Sequence, residues 1–408
     1  MSDELARLYN TLAKEIYAEE TTLEGLLLAI DEAVSEQGMP SVAADCLRMM
    51  VLDAYDMVED AAIPGARLVQ EAADHMPSLL IYVDLLLRMK EFDQGREILT
   101  RARQQWPQSW NLLEYLITLE VFAQRLETAQ ELVREARLNK VLDARGEDLE
   151  SQIDKAMSGP HWPKTYRFSS KHYLVESDIS EAICKEAASL LEGAYTSYSV
   201  RLQRITNLEN NKFRVFLFSG EASYQRYVGE SLGADAENTA GLFSGFLKQL
   251  LIWNVPKRES MMQTVVHEGF HQYLDLAAFR APNWFNEGMA EYIEAAELVN
   301  GRWTDGQVRH DHLENLKKKT MMPLADFVNI SARRFYAGDV GLHYSQAWAF
   351  IHFLRNSSKK EGDLFDRLFK GFVESPSSGR VVRDAFEDVD MAALDEQLLA
   401  YLEELRND

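Results

Sequence analysis

Cysteine is nearly missing from this 408-residue chain, which has only Cys46 and Cys184. Two thiols so far apart offer no disulfide framework and no thiolate metal site. Proline is scarce too, ten residues in all, so long helices can run uninterrupted. Positive charge is in deficit: 43 Lys and Arg stand against 65 Asp and Glu, for a net charge of −22. Such a surface repels phosphate backbones and anionic headgroups, so neither nucleic acid nor a membrane is an expected partner. No uncharged apolar run reaches the roughly 18 residues that a membrane span needs. The N-terminal stretch "MSDELARLYNTLAKEIYAEE" is acidic at once and lacks the apolar core of a signal peptide. These absences together predict a protein of a reducing cytoplasm.

What is present, 46% apolar and 26% charged residues, is the composition of a globular protein. A chain of this length is too long for one small core and predicts two or three domains. Residues 1–157 read as an all-α domain, with Leu and Ala recurring at three- and four-residue spacing. A weak repeat runs through it. "GARLVQEAADHMPS" (65–78) aligns with "GREILTRARQQWPQ" (95–108), and "EFDQGREILTRAR" (91–103) aligns with "RLETAQELVREAR" (125–137). A period of 30 to 34 residues with a small residue in the second helix resembles tetratricopeptide-type helical hairpins. An irregular helical bundle is the plainer alternative. Such repeats imply a surface for a protein partner.

"SGPHWPK" (158–164) then reads as a linker. Beyond it, residues 165–408 read as a second domain of α+β class. "YRFSS", "HYLVES", "KFRVFLFS" and "LKQLLIWN" are strand-like, "SEAICKEAASLLEGAYTSYSVRL" is an amphipathic helix, and everything past residue 260 looks helical.

The chemistry sits in "VVHEGFHQYLDLAAFRAPNWFNEGMAEYIE" (265–294). His267 and His271 are four residues apart, one turn along one helix face, where two imidazoles can share one metal ion. Glu268 between them is offset from the ligand direction, as suits a carboxylate that accepts a proton from water acidified by the ion. A catalytic zinc site needs a third protein ligand and an open position. The W-F-N-E-G-x-A-E-Y run that follows is similar to the gluzincin metallopeptidases of the peptidase MA type. That resemblance covers roughly residues 165–375. The order of strands before the motif and the segment "HYSQAWAFIHFL" (343–354) resemble a bacterial branch of the same clan.

The resemblance implies a zincin-like domain holding one Zn²⁺ through His267, His271 and Glu287, with Glu268 as general base. It also implies that Glu291 supports a ligand histidine's other nitrogen. Tyr344, at the start of the later helix, is the expected oxyanion donor. Mn²⁺ or Co²⁺ is not excluded by the donor set. Asp275 is a rival to Glu291, and His310 and His312 read as a polar loop or helix start without a metal. In this clan an edge strand binds extended substrate, and "LKQLLIWN" or "GLFSGF" is the candidate. The function expected is zinc-dependent hydrolysis of peptide bonds, with a peptide or protein as substrate. A binding protein built on its helical repeats, or a zinc hydrolase of non-peptide amides, would carry the same residues.

Overall fold

A computed structural model describes residues 3–16, 22–72, 74–201, 212–233, 236, 239–299 and 302–407. The chain divides into two compact units, Met1–Glu147 with Ser375–Arg380, and Asp148–Glu374 with Val381–Asp408.

The first unit is built of helices. After Asp3–Glu15 and Leu23–Gln37 come three hairpins: Ser41–Ala54 with Val58–Glu71, Met76–Arg88 with Phe92–Gln105, and Trp110–Phe122 with Leu126–Leu138. The same device turns the chain inside each. Asp56, Lys90 and Gln124 take the left-handed conformation, with φ of 55°, 60° and 57°. The next amide, of Met57, Glu91 or Arg125, then reaches back 2.8 Å to the carbonyl of Leu52, Leu86 or Glu120. This is a helix C-cap that satisfies a carbonyl left free by the ending helix. Each set of residues recurs at a spacing of 34, and so do the buried small residues Ala61, Gly95 and Ala129. The alignment of 91–103 on 125–137 therefore has the correct register. The alignment of 65–78 on 95–108 is one helical turn out, because a four-residue slip returns to nearly the same helix face and keeps the apolar pattern. The segment Ser375–Arg380 belongs here too: Ser377 Oγ accepts from the Glu59 amide at 3.0 Å, and Arg380 pairs with Glu59 and Asp60.

The division falls before the "SGPHWPK" stretch, because most of the helix Ala144–Ser158 belongs to the second unit. Its end supplies acceptors to buried groups there. The Ala156 carbonyl takes hydrogen bonds from Arg214 Nη1 at 2.8 Å and from the fully buried Gln249 Nε2 at 3.0 Å. A fragment beginning at Pro163 should therefore melt several degrees below one beginning at Ala144, since each buried donor left without a partner costs about 1–3 kcal/mol. Equal melting temperatures would show that the helix contributes nothing to this unit.

The second unit holds a mixed sheet of β1 (Tyr166–Ser169), β2 (Tyr173–Ser177), β3 (Phe213–Phe218), β4 (Gly241–Ser244) and β5 (Gln249–Trp253), in the order β1-β2-β3-β5-β4. The β2–β3 and β3–β5 pairs are parallel and the two outer pairs are antiparallel. Central β3 is buried on both faces, which is why "FRVFLF" is apolar almost throughout. Val215 and Leu217 join the main core with the helix Glu181–Arg201, while Phe216 and Phe218 pack on Tyr224, Tyr227 and Val228 of the helix Glu221–Leu232. The chain then continues in helices, broken by an antiparallel pair of short strands, Glu297–Val299 and Arg302–Thr304, that the all-helical reading beyond residue 260 misses. The α+β expectation holds. Among the described residues no helix is long and apolar enough to cross a membrane, and Cys46 and Cys184 are free and buried.

Candidate metal centre

Two consecutive helices carry the site. Arg258–Ala277 buries Met261, Met262, Val265, Val266, Phe270, Tyr273 and Leu274, an i, i+3, i+4 stripe that fixes its rotation. That rotation leaves His267, Glu268 and His271 on a partly accessible flank. The imidazole centroids of His267 and His271 are 4.9 Å apart. The next helix, Asn283–Glu294, buries Trp284, Phe285, Met289 and Ile293 and brings Glu287 beneath the histidines, 6% exposed. Glu287 Oε2 lies 3.7 Å from His267 Nε2 and 3.5 Å from His271 Nε2. A tetrahedral ion with bonds of about 2.0–2.1 Å separates its donors by roughly 3.3 Å. Each imidazole nitrogen thus lies within a few tenths of an ångström of such a separation from the Glu287 oxygen.

The nitrogens facing away from that point are both engaged. His267 Nδ1 is 3.0 Å from Glu294 Oε2, and His271 Nδ1 is 2.8 Å from Asn286 Oδ1. Such partners fix the tautomer that leaves Nε2 free to bind a metal. The carboxylate behind His267 is thus Glu294 and not Glu291, correcting the expectation from sequence. Glu294 lies seven residues beyond Glu287, two turns along the same face. The Glu291 carboxylate is taken up elsewhere: its Oε2 is 2.9 Å from His312 Nε2 and 3.0 Å from Arg309 Nη1. His267, Glu291 and Glu294 also stand close enough together to hold a cation, but Arg309 Nη1, 3.0 Å from Glu291 and 3.5 Å from Glu294, already supplies the positive charge. His310 and His312 begin the helix His310–Lys318, and buried His312 also meets Ser345 Oγ at 3.0 Å. Asp275 pairs with Lys248 at 2.6 Å.

Glu268 stands with His267 and His271 at the site, and its Oε2 accepts from the Phe243 amide at 2.8 Å. Phe243 lies in β4, the edge strand, whereas β5 is flanked by β3 and β4. Of the two candidate substrate strands, "LKQLLIWN" is therefore internal and "GLFS" forms the edge. The Trp253 amide bonds to the Ala240 carbonyl, so by alternation the backbone groups of Leu242 and Ser244 face β5. Those of Gly241 and Phe243 face the free edge.

Two tyrosines complete the surroundings. The Tyr336 hydroxyl, which sequence reasoning missed, donates to Glu287 Oε1 at 2.7 Å. Tyr344, in the helix Val340–Asn356, lies beside the same carboxylate: burial raises its phenol above the usual range, and Glu287 and Tyr336 push it the same way. Close packing brings this helix in. A Cβ added at Gly288 would sit 2.5 Å from the Ala347 carbonyl oxygen, so only glycine permits the approach. His343 points elsewhere, its Nδ1 2.7 Å from the Phe335 carbonyl.

Electrostatics favour a cation. Burial alone would lower both histidine pKa values. Glu287 and Glu294 around His267, and Glu287 around His271, outweigh it, and both values are raised, His267's well above the ordinary one. Burial would likewise raise Glu287, yet the two imidazoles hold it well below the carboxylate range. These imidazoles therefore hold their protons more tightly than free histidine does, and an incoming ion has to compete with them. Zinc added to metal-free protein in weak buffer should release protons, and affinity should fall as pH falls through the raised values. Calorimetry in buffers of different ionisation enthalpy measures this; binding without proton release would contradict the arrangement.

The family described as "Protein of unknown function (DUF1570)" matches residues 261–374. The match takes in every residue named above at the histidine–glutamate cluster and omits β4 with Phe243. No curated protein is significantly similar to the chain.

Proposed function

We propose that this chain is a zinc-dependent peptidase of gluzincin type. The observation that carries the reading is the convergence of Glu287 Oε2 on the two histidine Nε2 atoms, 3.5 and 3.7 Å away, with both Nδ1 atoms backed by fixed acceptors. His267, His271 and Glu287 hold the ion. When bound, the ion supplies Lewis acidity, which acidifies water and polarises a carbonyl. Glu268 takes the proton from the attacking water and returns it to the leaving nitrogen. The Phe243 amide keeps that carboxylate aimed at the site. An extended peptide lies along the outer edge of β4 and forms backbone hydrogen bonds with Gly241 and with the Phe243 carbonyl, the Phe243 amide being held by Glu268. Tyr344 donates to the oxyanion that develops on the scissile carbonyl. A general base is present beside the ligand set, which a purely structural metal site does not require.

The test is mass spectrometry of an unfolded protein incubated with zinc-loaded and with chelated enzyme. New termini should appear only with zinc. Their absence, or equal cleavage after chelation, would overturn the reading. Within it, Tyr344→Phe should lower kcat by roughly 10–10³-fold, the loss of one oxyanion donor, with zinc content unchanged. A variant with wild-type turnover and a lower melting temperature would instead make Tyr344 a core residue.

A further inference from the structure

Glu287 uses its two oxygens differently. Oε2 faces the imidazoles of His267 and His271 at 3.7 and 3.5 Å. Oε1 is held from the other side by the Tyr336 hydroxyl at 2.7 Å. The carboxylate itself is 6% exposed, while Tyr336 is 49% exposed. Tyr336 thus spends a half-exposed phenol on one oxygen of a buried ligand. We propose that Tyr336 is a positioning residue that keeps Glu287 a one-oxygen ligand, so that a coordination position stays open to water and substrate. The proposal rests on the assignment of His267, His271 and Glu287 as metal ligands.

A carboxylate free to rotate can offer both oxygens to one ion; beside the two imidazoles and the bound water the second oxygen is a fifth donor, and it crowds the position that a catalytic site must keep open to substrate. A hydrogen bond to Oε1 opposes this twice. It fixes the carboxylate plane, and it commits the second oxygen to a donor that would have to be given up. The Tyr336 hydroxyl meets both requirements from outside the two ligand-bearing helices, at the end of the short helix Ala332–Phe335. A packing role for the ring is preserved when only the hydroxyl is removed.

Cobalt(II) is the probe, because its visible absorption is strong with four donors and weak with five. Full-length wild type and Tyr336→Phe, each stripped and reloaded with cobalt, are compared for absorption per bound ion and for affinity. The proposal expects Tyr336→Phe to absorb more weakly per ion and to bind about 10–100-fold less tightly, as the loss of a ligand's supporting hydrogen bond does. An unchanged cobalt spectrum overturns it, whether or not affinity falls, since a merely structural contact can alter affinity alone. If wild type binds no cobalt, the ligand assignment fails and the proposal fails with it. The melting temperature of the metal-free variant should match wild type, and a large drop would show that the hydroxyl serves the fold.

Discussion

Glu268→Gln should retain zinc, retain the fold and lose hydrolysis by about 10²–10⁴-fold, the usual contribution of a general base. Glutamine has the size of glutamate, and its side-chain oxygen can still accept from the Phe243 amide that now holds Glu268 Oε2 at 2.8 Å. The replacement therefore stays in place. What it cannot do is accept a proton from water. The proposed ligand atoms His267 Nε2, His271 Nε2 and Glu287 Oε2 are untouched, so metal content isolates the chemical defect from a structural one. Hydrolysis at the wild-type rate by the zinc-loaded variant would move the base elsewhere.

His267→Ala, His271→Ala and Glu287→Ala should each give protein without bound zinc after purification. Each removes one of three donors, and the two that remain cannot close a tetrahedral site. The supporting carboxylates should then separate by rank. Glu294→Ala removes the acceptor 3.0 Å from His267 Nδ1 and should weaken zinc binding by about 10–100-fold. Glu291→Ala acts through Arg309 and His312 and should weaken it less. Competition with a chromophoric chelator measures the order. A larger loss from Glu291→Ala than from Glu294→Ala would restore the assignment read from the sequence.

That pair shows where the sequence was legible. The spacing of His267 and His271 has meaning only on a helix, and the apolar stripe from Met261 to Leu274 supplies one. Glu287 was singled out by the resemblance of the next helix to the gluzincin run, and Asn286 and Glu294, which back the two histidines, lie in the same run. Which of two glutamates on that face meets His267 depends on helix crossing and on competing partners, and the competitor was Arg309, eighteen residues past Glu291 in a different element. His312 and Tyr336 reach the site from segments whose path no local pattern fixes. Tyr344 was singled out by the resemblance of its segment, and it lies beside Glu287. The helical hairpins were visible for the same reason as the motif helix, yet apolar periodicity left their register ambiguous by one turn. The left-handed residues Asp56, Lys90 and Gln124 set it, and three such different side chains share no sequence signal. The edge strand was undecided between two apolar segments because edge and centre differ by pairing partners, not by composition.

The most direct measurement is anomalous diffraction from zinc-loaded crystals, recorded on both sides of the zinc absorption edge. A single peak should appear per chain, within bonding distance of His267 Nε2, His271 Nε2 and one oxygen of Glu287. A zinc peak at any other set of side chains, or none in crystals of protein shown to be competent for zinc loading, would contradict the site and the activity built on it.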